Sequence, residues 1–315
     1  MTGRSILVTG PDGQLGRALR VALEKHARVI AASRATLDVT DSDAVRRTLR
    51  TLRPDVILNT AAWTAVDAAE DRRDEAFAAN ADGPTLLAEE AARLGALLVH
   101  YSTDYVFDGA RDTPYPEDAP ARPLGVYGAS KLAGERAVLA AGARALVLRT
   151  SWLFASRGHG FLQTMLRLAA SAGPHTPVRV VDDRHGTPTS ASFVARATAR
   201  ILASPRVTEG ASGDDVWGVY HVAAGGATTW HGFAAAIFAG VAAREGEAPP
   251  LQAIDSSQYP TRATRPAYSV LDVRKAERVF GVTPTRWERQ LDEVLDEQLG
   301  GARVPSAEPL LAHRD

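Results

Sequence analysis

The chain has 315 residues, and at roughly 150 per domain that length predicts two lobes. Hydrophobic residues at 45% and charged residues at 23% fit a globular enzyme and exclude a disordered or collagen-like chain. Lys+Arg 36 against Asp+Glu 37 leaves a net charge of -1, with no basic surplus for a nucleic-acid backbone, and the absence of cysteine excludes disulfides, thiolate metal sites and thiol nucleophiles.

Ser5–Thr9 reads as a buried strand, followed by a glycine turn and a helix over Leu15–Lys25. Further strands are predicted at Arg28–Ala31, Asp55–Asn59, Ala96–Tyr101 and Ala145–Leu148, with helices such as Pro84–Leu94 and Ser130–Leu139 between them. Near-continuous apolar strands alternating with helices predict an α/β protein: a Rossmann-type doubly wound parallel sheet that binds ligand beyond the carboxyl ends of its strands. After Arg149 glycine and proline become frequent, and Gly158–Gly160, Ala172–Pro177 and Thr208–Asp215 are predicted loops. Val178–Val181 and Val219–Val222 are expected to return to the main sheet. The expected division is a dinucleotide-binding domain over 1–150, with returning segments at about 178–201 and 217–224. A smaller discontinuous substrate lobe takes about 151–177, 202–216 and 225–315, and Ser306–Asp315 is expected to fray. The N-terminus has no signal-peptide pattern and no apolar run approaches the roughly 20 residues of a membrane span, so a soluble, cytoplasmic protein is expected.

Gly10, Gly13 and Gly16 fall between the first strand and the first helix, where a dinucleotide loop requires them. One glycine permits the tight turn and another the approach of a pyrophosphate. The third lets helix and strand pack closely, while the helix N-terminus favours the anion. Asp12 is out of character beside a pyrophosphate unless its carboxylate turns away. Arg34, just past the second strand, tilts the cofactor toward NADPH, since arginine can accept a 2′-phosphate; NADH remains open.

Tyr127 and Lys131 stand four apart, on one face if helical. An ammonium near a phenol favours the phenolate, so Lys131 is expected to lower the Tyr127 pKa and ready it as proton donor to a carbonyl being reduced. Thr103, at the end of the fourth strand, could hold the same oxygen.

With these motifs in place the chain resembles the extended short-chain dehydrogenase/reductases and, within them, the dTDP-4-dehydrorhamnose reductase family. The resemblance is carried by Thr9–Gly16, Asn59–Asp67, Ser102–Gly109, Tyr127–Glu135, Arg149–Trp152, Val181–Thr189 and Ala263–Ala267, in order along nearly the whole chain. It implies NAD(P)H-dependent reduction of the 4-keto group of dTDP-4-dehydro-6-deoxy-L-mannose to dTDP-L-rhamnose. It also implies that Gly13, Gln14 and Leu15 approach the cofactor phosphates, that Asp38 and Val39 lie near the adenine, and that Ala61, Ala62 and Trp63 line the cofactor edge. Tyr127 would donate the proton and Lys131 hold the nicotinamide ribose, with Thr103 and Asp104 meeting the sugar and Trp152 packing on it. Pro11–Asp12, Trp63 and Ser130 depart from the family pattern.

The partner expected is a small nucleotide sugar, with a homodimer left open and neither nucleic acid nor membrane involved. Arg265 is a candidate for the substrate diphosphate, with a structural ion pair as the competing role. Asn80 is a candidate support for a proton relay or a helix asparagine bonding backbone. Histidines including His100 are read as core or surface residues, Asp182–Asp183 as a cap or turn, and Trp217, Trp230 and Trp287 as packing in or near the second lobe. The metal requirement is left open. The rival functions are reduction of another dTDP-4-keto-6-deoxyhexose, an epimerase or dehydratase on the same fold, and a regulatory subunit that binds nucleotide without turnover.

Overall fold

The computed structural model describes residues 3–173, 175–208 and 216–300. Most of the loop expected at Thr208–Asp215, and the tail from Ser306, lie outside the described residues.

Five strands and their helices alternate in the first half: β1 (Ser5–Thr9), α1 (Gln14–Leu23), β2 (Arg28–Ala32), α2 (Ser42–Leu52), β3 (Val56–Asn59), α3 (Val66–Asp71) and α4 (Arg73–Phe77). A π-helical turn at Ala78–Asp82 leads into α5 (Gly83–Leu94), then β4 (Leu97–Thr103), α6 (Val126–Ala140) and β5 (Arg144–Thr150). The second half contains β6 (Leu153–Phe154), α7 (Phe161–Ser171), β7 (Val178–Val181), β8 (His185–Gly186), β9 (Thr189–Ser190), α8 (Ala191–Ala203) and α9 (Pro205–Thr208). It continues through β10 (Gly218–His221), β11 (Thr228–Thr229), α10 (Trp230–Glu245), β12 (Leu251–Ile254), α11 (Arg274–Phe280) and α12 (Trp287–Leu299).

Six strands form one parallel sheet in the order β10-β5-β4-β3-β1-β2. Successive strand residues face opposite sides, so apolar runs feed two cores. Ile6, Val8, Leu58 and Val99 pack with α1 and α8, whereas Leu7, Ile57, Leu98 and Val147 pack with α2 and α5. Each fully buried Leu, Ile or Val contributes about 1.5–3 kcal/mol, so these layers fix the strand ends that carry the site.

A third core joins Phe154, Met165, Val180, Phe233, Phe238 and Leu291, from β6, α7, β7, α10 and α12. Here two expectations need correction. Val178–Val181 does not return to the main sheet: it pairs in parallel with β12, because Val178 and Val180 face the aromatic residues of α10. The stretch from 225 onward is not all second lobe either, since Ala276 and Phe280 of α11 pack on the sheet core, Phe280 against Tyr220. Trp217 belongs to that same sheet core, and Trp287 to the third. Among the described residues no helix is long and apolar enough to cross a membrane.

Candidate active site

The glycine turn follows β1 as expected. Gly10 takes φ +61° and donates its N–H to Ala32 O at 3.2 Å. A Cβ on Gly16 would collide with Gly10 O, which is why α1 sits this close to the turn. Gly13 is the N-cap of α1, exposed and without a side-chain cap, so the first amides of the helix, among them Gln14 and Leu15, have no protein side chain at the N-cap to satisfy them. Asp12 is exposed, and Arg17 holds its carbonyl. The Gln14 amide crosses to the second half of the chain and donates to His159 O.

Past β2, Arg34 Nε pairs with Asp38 Oδ2 at 3.0 Å, the arginine side chain 86% exposed. Both Thr40 and Arg34 hold the Asp38 carboxyl below the usual range despite some burial. Val39 is buried against Gly83. Beyond β3, Ala61 and Ala62 lead to Trp63, whose backbone is clamped by Asn80: Trp63 N donates to Asn80 Oδ1 and Asn80 Nδ2 to Trp63 O. The same amide donates to Ser130 Oγ at 3.0 Å. Asn80 therefore ties the segment after β3 to α6 from the π-helical turn.

Helix α6 begins four residues before its expected start because Glu70 Oε1 accepts from Val126 N at 2.8 Å. That cap brings Tyr127 into the helix, on the face of Lys131. At the end of β4, Thr103 Oγ1 caps the following 3₁₀ turn through Tyr105 N and donates to Asp104 Oδ1 at 3.1 Å. Ser102 Oγ, Asp104 Oδ2 and Thr150 Oγ1 are buried without a protein partner. These polar atoms without a protein partner lie at the carboxyl ends of two adjacent strands, β4 and β5.

The electrostatics correct one expectation. Burial pushes the Tyr127 phenol up to about 12, with the Thr103 side chain drawing it back and the Asp104 charge raising it further. Lys131 is not among the groups that act on the phenol, and burial brings Lys131 itself down to about 8. Its Nζ donates to Tyr101 O at 2.6 Å and lies 3.5 Å from His100 Nε2. Burial also raises Asp104 to about 7.

On the far side, Trp152 takes φ +44°, rare for a bulky residue and costing about 1–3 kcal/mol. Its indole lies where a Cβ on Gly186 would be, and 6.0 Å from the ring of Trp230. Arg265 stands over Trp230 at 5.8 Å, but both arms of its fork are held by Asp67, at 3.0 and 2.6 Å. The ion pair expected as its competing role is present, and Arg265 also reaches Tyr105, whose ring meets Tyr127 edge-on. Trp230 is expected from the sequence only as packing and Asp67 only as part of the Asn59–Asp67 stretch; their contacts with Arg265 join segments far apart in the chain. A separate cleft of 640 Å³ is lined by Arg111, Tyr268, Leu271 and Arg274 and contains none of the predicted site residues. Among the described residues no three metal-ligating side chains gather.

Residues 4–299 match the family model described as the RmlD substrate binding domain. A dTDP-4-dehydrorhamnose reductase of Burkholderia thailandensis is 43% identical over 286 residues, covering 90% of this chain and 95% of the relative. Two solved structures of dTDP-4-dehydrorhamnose reductases superpose well. That of Clostridium acetobutylicum is 35% identical with a TM-score of 0.84, covering 93% of this chain and 99% of that one. That of Bacillus anthracis, in complex with NADP, is 31% identical with a TM-score of 0.85, covering 94% and 100%.

Proposed function

The chain belongs to the RmlD family of dTDP-4-dehydrorhamnose reductases, and from that premise we propose how its own residues carry the reaction. The protein is an NADPH-dependent reductase that converts the 4-keto group of dTDP-4-dehydro-6-deoxy-L-mannose to the alcohol of dTDP-L-rhamnose. Bound NADPH supplies the hydride. The residues present fit that cofactor: at the start of α1 stand an N-cap glycine without a side chain, helix amides that no N-cap side chain satisfies, and a buried Gln14 Oε1 with no protein partner.

The observation that carries the assignment is the Tyr127–Lys131 face of α6 set against the orphaned polar atoms at the end of β4. As negative charge grows on the sugar's 4-oxygen, Tyr127 gives it a proton, and burial keeps the phenol protonated until that moment. Thr103 orients the same oxygen. Asp104, buried at the same strand end, meets the sugar hydroxyls. Lys131 holds the nicotinamide ribose, while Gly10, Gly13, Gln14, Leu15 and Gly16 form the phosphate cradle. Arg34 and Asp38 flank the adenine ribose, with Val39, Ala61, Ala62 and Trp63 along the cofactor. Trp152 packs on the sugar. Arg265, pinned by Asp67, acts at the substrate through Tyr105 and Trp230. A reaction drawing on nucleotide sugar and NADPH belongs in the cytoplasm.

The test is loss of NADPH absorbance with enzymatically made keto sugar, followed by identification of the product. Net NADPH oxidation with rhamnose as product is expected. Conversion of sugar without net oxidation would point to an epimerase or dehydratase, and oxidation with a different 4-keto-6-deoxyhexose alone would reassign the substrate.

A further inference from the structure

A row of polar side chains crosses the sheet beneath the site. Thr9 of β1, Asn59 of β3 and His100 of β4 are register neighbours, Thr9 paired with Asn59 and Asn59 with His100, and each is at most 1% exposed. The row is flanked by Ala32 of β2 and Val147 of β5. Three adjacent polar residues inside a parallel sheet cost stability unless fully hydrogen-bonded, and these are bonded in sequence. Ala61 N donates to Thr9 Oγ1 at 3.3 Å, and Thr9 Oγ1 donates to Asn59 Oδ1 at 2.7 Å. That leaves the Asn59 amide to donate to His100 Nδ1, at 3.0 Å. With Nδ1 accepting, the proton of a neutral imidazole sits on Nε2, the nitrogen 3.5 Å from Lys131 Nζ.

We propose that His100 is a positioning residue for Lys131, its imidazole fixed by Asn59 and Thr9 from the side of the glycine turn and its Nε2–H facing the lysine amine. This rests on the assignment of Lys131 to the nicotinamide ribose. An N–H aimed at the lysine favours the free amine over the ammonium, and the Tyr101 carbonyl holds the amine in the same place. His100 itself stays neutral, through burial and the lysine charge. The other charged group acting on Lys131 is Glu135 on its own helix, whose carboxylate is taken by Arg149 of β5 at 2.6 Å; Asp104, at the end of β4, acts on Tyr127. The row thus links the cofactor turn, through Ala61 N and Thr9, to the charge state of the lysine.

The experiment uses the full chain with NADPH bound. In His100→Gln the amide reaches the Nε2 position and can turn its carbonyl toward an ammonium. The alkaline limb of the kcat/KM profile, set by Lys131, is expected to move up by about one pH unit while NADPH affinity holds. With histidine labelled in ¹⁵N, the wild-type His100 is expected to show a bare Nδ1 and a protonated Nε2. Its resonances should shift as pH passes through that limb, and the shift should vanish in Lys131→Met. A proton on Nδ1, resonances flat through the limb, or an unmoved limb in folded His100→Gln would each overturn the proposal, and the wild-type spectra decide it even if His100→Gln fails to fold. Tyr127→Phe run in parallel keeps the two readings apart. Full activity there sinks the catalytic assignment, whereas an inactive Tyr127→Phe with a silent His100 sinks only the positioning role.

Discussion

The two sides of Tyr127 are built on different principles. Toward the sheet, Asn59, Asn80, His100, Ser130 and Lys131 are almost wholly buried, and strand register or helix spacing fixes each of them. Toward the second lobe, Trp152, Trp230 and Arg265 are partly exposed, and they meet only because segments distant in the chain fold together. The side proposed to handle the proton is set with the sheet. The side proposed to hold the sugar depends on contacts between segments distant in the chain.

The strongest way to break that contrast is Tyr127→Phe. The variant removes one hydroxyl from a helix held by Glu70 and Asn80, so the fold and NADPH affinity should survive. Losing a positioned general acid should lower kcat by about a hundred- to ten-thousand-fold. Steady-state kinetics beside a thermal melt would decide it, and a kcat close to wild type would mean that another acid serves.

Gly13→Val tests the cofactor end of the rigid side. Gly13 has φ -70° and ψ 169°, which valine adopts without strain, and a Cβ there would stand 3.4 Å from Gly10 O. The rest of the side chain must then enter the space in front of α1. NADPH Kd should rise by at least about tenfold, about 1.4 kcal/mol, with the melting temperature nearly unchanged. Unaltered NADPH binding by titration in the folded variant would move the cofactor elsewhere.

The side toward the second lobe should respond in KM. Trp152→Ala is expected to raise KM for the keto sugar about tenfold, roughly what burying an aromatic face is worth, with a smaller effect on kcat. Gly186→Ala sharpens the point, because its new Cβ would strike the Trp152 indole. The same KM phenotype should appear with Trp152 left in place. A fall in kcat at constant KM in both variants would put Trp152 on the proton side instead.

This division also governs how much could be read from sequence. The five strands of the first half announce themselves as apolar runs, and the glycine turn and the Tyr127–Lys131 spacing are local patterns. The start of α6 is not local, since its cap comes from Glu70. Nor is the place of Val178–Val181, an apolar run that suits either sheet until β12 claims it. Spacing sets Lys131 one helical turn from Tyr127 on α6 but could not show that burial holds the phenol at about 12. A lone histidine in an apolar strand reads as a core residue, and His100 is fully buried. Only its register with Asn59 gives it a direction.

The smallest effect is expected at Arg34, which is local in sequence yet lies outside both constructions. Its side chain is 86% exposed and its partner Asp38 is four residues away, so the pair itself contributes little to stability. Asp38 is held more firmly, by the amide and hydroxyl of Thr40 at 2.9 and 2.7 Å. That leaves the guanidinium tethered at one edge with its other nitrogens directed to solvent, an arrangement suited to a 2′-phosphate. Arg34→Ala should therefore weaken NADPH by several-fold to about tenfold and leave NADH unchanged, because an exposed charge pair is largely screened. Kd values for both cofactors at low and high salt would check this, with the NADPH penalty shrinking as salt rises. Equal losses for both cofactors would show that Arg34 shapes the adenine site rather than reading the phosphate.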